Sequence, residues 1–168
     1  MTQIVIALLA LLVPAVQAHA NTDIRDVFRQ MPDSIVPYLK ENNRLDFIDF
    51  IDSNMKAEVR NSLDGHSTMT SLAADSLTIQ LNEATLMDIY ILPLEKDIAV
   101  DSLTVNEAVC LVFTYGLQGQ PQTQAVSYYT TSWKKLPDSL PLSKANRERI
   151  SRRKVLTTAK FLQETLNK

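Results

Sequence analysis

Apolar residues in this chain recur at helical spacing as far as Met55 and at strand spacing after it, and any fold must respect that switch. Ile24, Val27, Phe28 and Met31 stand at i, i+3, i+4 and i+7, which predicts a first helix capped by Thr22 and stopped by Pro32. Asp33 and Ser34 offer a second cap. A short helix should follow through Tyr38 and Leu39 to about Asn42, with Pro37 tolerated in its first turn. Asn43, with Asp46 three residues on, reads as a variant capping box for a third helix. Leu45, Phe47, Ile48, Ile51 and Met55 cover a broad face of that helix, as suits one lying across a sheet.

Past Met55 the period becomes two. Val59, Asn61 and Leu63 predict a first strand, Asp64-Gly65 a hairpin turn, and Thr68, Thr70 and Leu72 the return strand. Leu77, Ile79 and Leu81 alternate with Thr78, Gln80 and Asn82. Met87, Ile89 and Ile91 alternate next, and Pro93 is expected to break that ladder. The nearly continuous apolar run from Glu107 to Tyr115 suits a central strand covered on both faces. After a polar loop from Gly116 to Gln124, Val126, Tyr128 and Thr130 alternate with Tyr129, Thr131 and Trp133 on a last strand. Pro137 and Pro141 bracket a linker, and Val155, Ala159, Leu162 and Leu166 mark a final helix. The expected class is α+β: N-terminal helices packed on an antiparallel meander sheet of about five or six strands, with a C-terminal helix. Asp-Ser-Leu-Thr occurs at Asp75–Thr78 and again at Asp101–Thr104, too short a match to define a repeat.

The first twenty residues stand apart from that fold. Ile4 to Val16 is apolar and uncharged, and Ala18-His19-Ala20 places small residues at −3 and −1 of a cleavage point. The run is shorter than the roughly 20 residues a spanning helix needs, and Pro14 interrupts it. Residues 1–20 therefore read as a signal peptide, with a mature chain from Asn21 that is periplasmic or secreted. A single α+β domain is expected over residues 21–136, followed by a basic linker and helix over 137–168.

Charge divides close to the boundary between domain and tail. Residues 21–133 carry seven basic and sixteen acidic side chains, a net of −9, whereas residues 134–168 carry ten basic and three acidic, a net of +7. On a helical wheel Arg147 and Lys154 fall on one side, and Arg149, Arg153 and Lys160 on the other. A dedicated polyanion stripe would gather them, so the tail reads as docked on its own acidic body or solvated. Contact with a membrane surface is the less favoured reading, and nothing calls for nucleic acid.

Candidate chemistry is sparse. Asp46, Asp49 and Asp52 form the one concentrated acidic group and are the candidate metal ligands, yet a regular helix lacks the carbonyls of a Ca²⁺ loop. Lys56, four residues after Asp52, predicts an ordinary helix ion pair instead. His66 sits beside Asp64 and Gly65 on a tight turn, where a Ser–His–Asp relay cannot align, and one His with one Cys cannot furnish a zinc site. Cys110 lies in the most apolar strand and reads as core. Tyr128, Tyr129 and Trp133, with Tyr115 on the adjacent strand, are the candidate ligand-binding aromatics; alternation sends Tyr129 and Trp133 to one face and Tyr128 to the other. No catalytic residue and no cofactor are assigned. The expected function is a non-enzymatic binding domain for another protein or a cell-envelope component, with an acidic-residue, Ca²⁺-dependent hydrolase as the alternative.

Met31-Pro32-Asp33-Ser34-Ile35-Val36-Pro37-Tyr38-Leu39, then Asn42-Asn43-Arg44-Leu45-Asp46 and Asp49-Phe50, resemble the opening of a family of small exported Bacteroidetes proteins of unknown function. Asp64-Gly65 with Ser67-Thr68, Thr114-Tyr115 and the Tyr129 to Trp133 spacing extend that resemblance over most of residues 25–136. It implies secretion and a compact mixed domain, and it carries no activity, ligand or catalytic residue.

Overall fold

The computed structural model describes residues 22–117 and 122–151. The signal-peptide reading of residues 1–20 and the apolar stripe of the final helix at Val155, Ala159, Leu162 and Leu166 lie outside the described residues. Two helices come first, α1 (Ile24–Arg29) and α2 (Glu41–Asp52). Six strands follow: β1 (Glu58–Arg60), β2 (His66–Leu72), β3 (Ser76–Asn82), β4 (Thr85–Val100), β5 (Leu103–Tyr115) and β6 (Thr123–Tyr129). A further helix, α3, begins at 144 and is described to 151. The strands form one antiparallel sheet in the order β1-β2-β3-β4-β5-β6, so the architecture is the expected α+β meander.

Several helix boundaries differ from their sequence expectations. Asp23, not Thr22, caps α1, its carboxylate accepting from the Arg25 N–H at 2.8 Å, while the Thr22 hydroxyl donates to Glu107. The helix expected over Asp33 to Asn42 does not form. Residues 32–39 make successive turns, with the Ile35 N–H bonded to Pro32 O and the Leu39 N–H to Val36 O. Pro37 supplies no N–H and holds Val36 away from helical geometry, so the segment turns and still buries Val36 and Leu39. α2 starts two residues before Asn43. The Asn43 side chain does the capping by accepting from the Lys40 N–H at 3.2 Å. The buried face of α2 is narrower than its composition suggests: Phe47, Ile48 and Arg44 go inward, whereas Leu45 and Met55 stay exposed. Because α2 ends at Asp52, Lys56 pairs with Glu58, and Asp52 is met by Arg25 at 3.3 Å.

β1 is shorter than predicted because Asn61 leaves the ladder to build the turn. Its side-chain oxygen accepts from the N–H groups of Leu63 and Gly65, and its amide nitrogen donates to Ser67 Oγ at 3.1 Å. Pro93 does not end β4. By that residue β3 has already stopped, its last pair being Ser76 with Tyr90, so Pro93 occupies an edge where no ladder donor is needed. The cost is an irregularity between Pro93 and Ile98, after which pairing resumes to a turn at Asp101-Ser102, both residues left-handed at φ 44 and 69. The two Asp-Ser-Leu-Thr segments share one role, each ending a turn and opening a strand.

The sheet is covered on both faces. α1, α2 and the turns between them pack on Met69, Leu77, Ile79, Leu81, Met87, Ile89, Val109 and Leu111. Tyr90, Leu92, Cys110 and Val112 point the other way and meet Leu140, Leu142 and Ile150 from the linker and α3. This explains why β5 reads as continuously apolar.

Candidate functional site

The sheet has two lateral edges, and they are finished differently. At β1 the first turn of α2 and the loop before it close the edge: Asn43 Nδ2 donates to Arg60 O at 3.1 Å, and the Ser62 N–H to Tyr38 O at 3.1 Å. Among the described residues, the chain folds back on β6 at its far end. Leu136 N–H donates to Tyr128 O at 2.8 Å, and Thr130 N–H to Lys134 O at 2.8 Å. Alternation of an antiparallel ladder then directs the backbone groups of Gln124 and Val126 outward, like those of Tyr128. Among the described residues, no backbone group bonds to that outer edge before Tyr128. The seven residues of β6 carry no charge and no proline, the devices that ordinarily blunt an exposed edge.

Aromatic side chains stand beside this edge on the helix-bearing face. Phe113 and Tyr115, two residues apart on β5, stack with ring centroids 5.9 Å apart and planes 20° apart. Tyr115 is 43% exposed. Burial, then the neighbouring Tyr115, pushes the Tyr38 hydroxyl above its ordinary pKa. Register places Ala125 beside Phe113 and Thr123 beside Tyr115. α2 packs against β1 and β2, at the other side of the sheet. The result is a shelf: aromatic rings at the margin of the helical layer, small side chains on β6, and beyond them a backbone edge that no described backbone group covers before Tyr128.

The three aromatic residues singled out from sequence are separated by the fold. Tyr129 is half-buried on the helix-bearing face, with Trp133 at 5.4 Å between ring centroids and Lys135 Nζ 5.2 Å from its ring centre. Tyr128 lies on the opposite face against Leu140, where burial pushes its hydroxyl pKa up. Trp133 is not on β6, as alternation predicts; the strand ends at Tyr129, and Trp133 follows a turn with a left-handed φ of 64°. Its indole is only 6% exposed and donates to Val27 O at 2.7 Å, docking the turn on α1. Asp46, Asp49 and Asp52 lie exposed along α2, and Asp52 holds Arg25. Among the described residues, no group of three or more His, Cys, Asp or Glu side chains is placed to hold a metal ion. His66 is exposed at the start of β2, 3.5 Å from Glu58, rather than within the turn. Cys110 is buried in β5, its thiol pushed up to about 12 chiefly by burial. Phe113 and Tyr38 carried no sequence signal for this shelf: Phe113 reads as one more core residue, and Tyr38 arrives from a loop.

A profile described as "Protein of unknown function (DUF3256)" matches residues 15–167. The chain belongs to the DUF3256 family. Among solved structures, this DUF3256 chain is similar to a domain of an uncharacterized protein from Porphyromonas gingivalis W83, a member of the Bacteroidetes. They share 23% identity at a TM-score of 0.52, over 68% of this chain and 53% of that one. The DUF3256 chain thus matches about half the length of that neighbour, and the likeness is one of fold. No curated protein matches the sequence. No helix among the described residues is long and apolar enough to cross a membrane.

Proposed function

We propose that this DUF3256 protein is an exported, non-enzymatic interaction domain, periplasmic or secreted, that takes an extended segment of another envelope protein onto the outer edge of β6. The observation that carries the reading is the uncharged β6 edge at Gln124 and Val126, with the Phe113–Tyr115 stack alongside it. Strand addition at such an edge draws affinity from main-chain hydrogen bonds and specificity from alternate side chains. Those falling beside Ala125 and Thr123 would meet Phe113 and Tyr115, so the favoured segment carries apolar or aromatic residues at every second position.

A photo-crosslinking side chain at Gln124 of the full chain, expressed in its native cells, tests this. The expected result is a recurrent protein adduct that Val126→Pro abolishes. Proline there removes an outward N–H that β5 does not use and trims the packing of Val126 on the second face, so the variant should still fold, with a lowered melting temperature. Adducts that survive Val126→Pro, or their absence, would overturn the reading. N-terminal sequencing of the exported protein should begin at Asn21.

A further inference from the structure

The turn between β1 and β2 makes two demands on its backbone. Asp64 is left-handed at φ 59, a conformation that Gly, Asn and Asp enter most readily. At position 65 a Cβ would lie 3.3 Å from Asn61 Nδ2, so the close approach of that side chain calls for glycine. The turn thus sets Asp before Gly, and of the chain's three glycines only Gly65 follows an Asp or Asn. An Asp-Gly pair can react with itself. The Gly nitrogen, with no side chain to crowd it, attacks Cγ of the neutral Asp carboxyl. An N–Cγ bond forms, and the carboxyl hydroxyl leaves as water with the amide proton. Water then reopens the succinimide ring, and opening at the α carbonyl leaves the chain running through the β-carboxyl, as isoaspartate. The product has the mass of the parent, and no oxidant or cofactor is needed.

Exposure favours this reaction and the turn opposes it. The Asp64 side chain is 87% exposed, open to the proton and the water that the two steps require. The nucleophile, however, is occupied. Gly65 N–H donates to Asn61 Oδ1 at 3.1 Å, and Leu63 N–H shares that oxygen at 3.0 Å. The acceptor is itself held in place: Asn61 is buried, and its Nδ2 donates to Ser67 Oγ at 3.1 Å. Asn61 N–H closes the turn on Gly65 O at 2.9 Å. Arg60 Nη2 meets Asp64 Oδ1 at 2.9 Å, but both partners are exposed and the pair releases at little cost. Ring closure therefore waits on a local opening that breaks the bond between Gly65 and Asn61.

We infer that Asp64-Gly65 is a self-modification site, converting to isoaspartate, and that the Asn61 side chain sets its rate. Isoaspartate puts one more methylene into the backbone of the turn, so the closure between Asn61 and Gly65 does not re-form in its original geometry. Ser62, inside the same turn, carries the bond to Tyr38 O that helps to close the β1 edge, and that bond loosens with it. The closed edge of the sheet is thereby tied to the chemical age of one peptide bond.

Ageing of the full chain at neutral pH tests this, with chromatographic mapping of the peptide that carries position 64. The parent chain should form isoaspartate there at least about tenfold more slowly in native buffer than in denaturing urea. Asn61→Ala, which removes the acceptor of the Gly65 N–H, should raise the native rate about tenfold. Trp133→Phe breaks the bond to Val27 O and weakens the fold far from the turn, so its rate should stay within about threefold of the parent's. Should Asn61→Ala not fold, Ser67→Ala takes its place, freeing one anchor of the Asn61 amide, and should raise the rate about threefold or more. Equal rates in buffer and urea, no acceleration in the turn variant, or a Trp133→Phe rate that matches it would overturn the assignment.

Discussion

Replacing Trp133 by Phe isolates one hydrogen bond that ties the end of the sheet to the first helix. α1 has only six residues, so most of its carbonyls have no partner within the helix. Val27 O would ordinarily accept from the N–H of Met31, but that N–H bonds to Phe28 O at 3.3 Å. The Trp133 indole takes its place at 2.7 Å, in a buried setting 106 residues away in sequence. Phenylalanine keeps a ring against Tyr129 and leaves the left-handed backbone at position 133 as it is, so the backbone term cancels. What remains is a buried carbonyl stripped of its donor, costing about 1–3 kcal/mol. Shrinking the ring adds about 1 kcal/mol of lost packing. The sum, about 2–4 kcal/mol, is a large share of the 5–15 kcal/mol that typically holds a domain together. Urea unfolding followed by far-ultraviolet circular dichroism measures it, since the substitution removes the chain's one tryptophan. Amide exchange in α1 should accelerate more than exchange in β3. A loss below about 0.5 kcal/mol, typical of an ordinary surface change, would refute the assignment of Trp133 as the cap of α1.

Two further outcomes rest on the same kind of contact. Asn61→Ala should destabilise the chain by about 2–4 kcal/mol, because it leaves the turn amides of Leu63 and Gly65 without their acceptor, and chemical denaturation reads the loss directly. The Arg149 guanidinium holds the Asp75 carboxyl below its ordinary pKa, so that pair stabilises the fold above the unfolded-state pKa and loses its effect as pH falls through the lowered folded value. Both groups are partly exposed and the effect is correspondingly modest; thermal melts from pH 5 down to 2 should show a shallower acid decline in Asp75→Asn than in the parent chain.

The β3 alternation and the apolar β5 run were readable because each local pattern agrees with its final burial: Leu77, Ile79 and Leu81 all face the helices, and β5 is covered on both sides. Errors arose where a long-range partner replaced a local one. Pro93 is harmless because β3 has ended alongside it, which no window around Pro93 reveals. Trp133 departs from the alternation because the turn after Tyr129 directs its indole to α1. The shelf was half legible: Tyr115 was visible as a strand aromatic, whereas Tyr38 joins from a loop whose position depends on how residues 32–39 turn.

From residue order alone follow the change of period at Met55, the α+β class, the buried character of Cys110 and the opposed charges of body and tail, because each depends on spacing or composition within one stretch of chain. Tertiary structure alone decided that the β1 edge is closed, where β4 ends, and which side chain meets Val27 O. Those outcomes rest on contacts between residues far apart in sequence, and hydrogen-bond and charge pairing across such distances leaves no periodic trace in the chain.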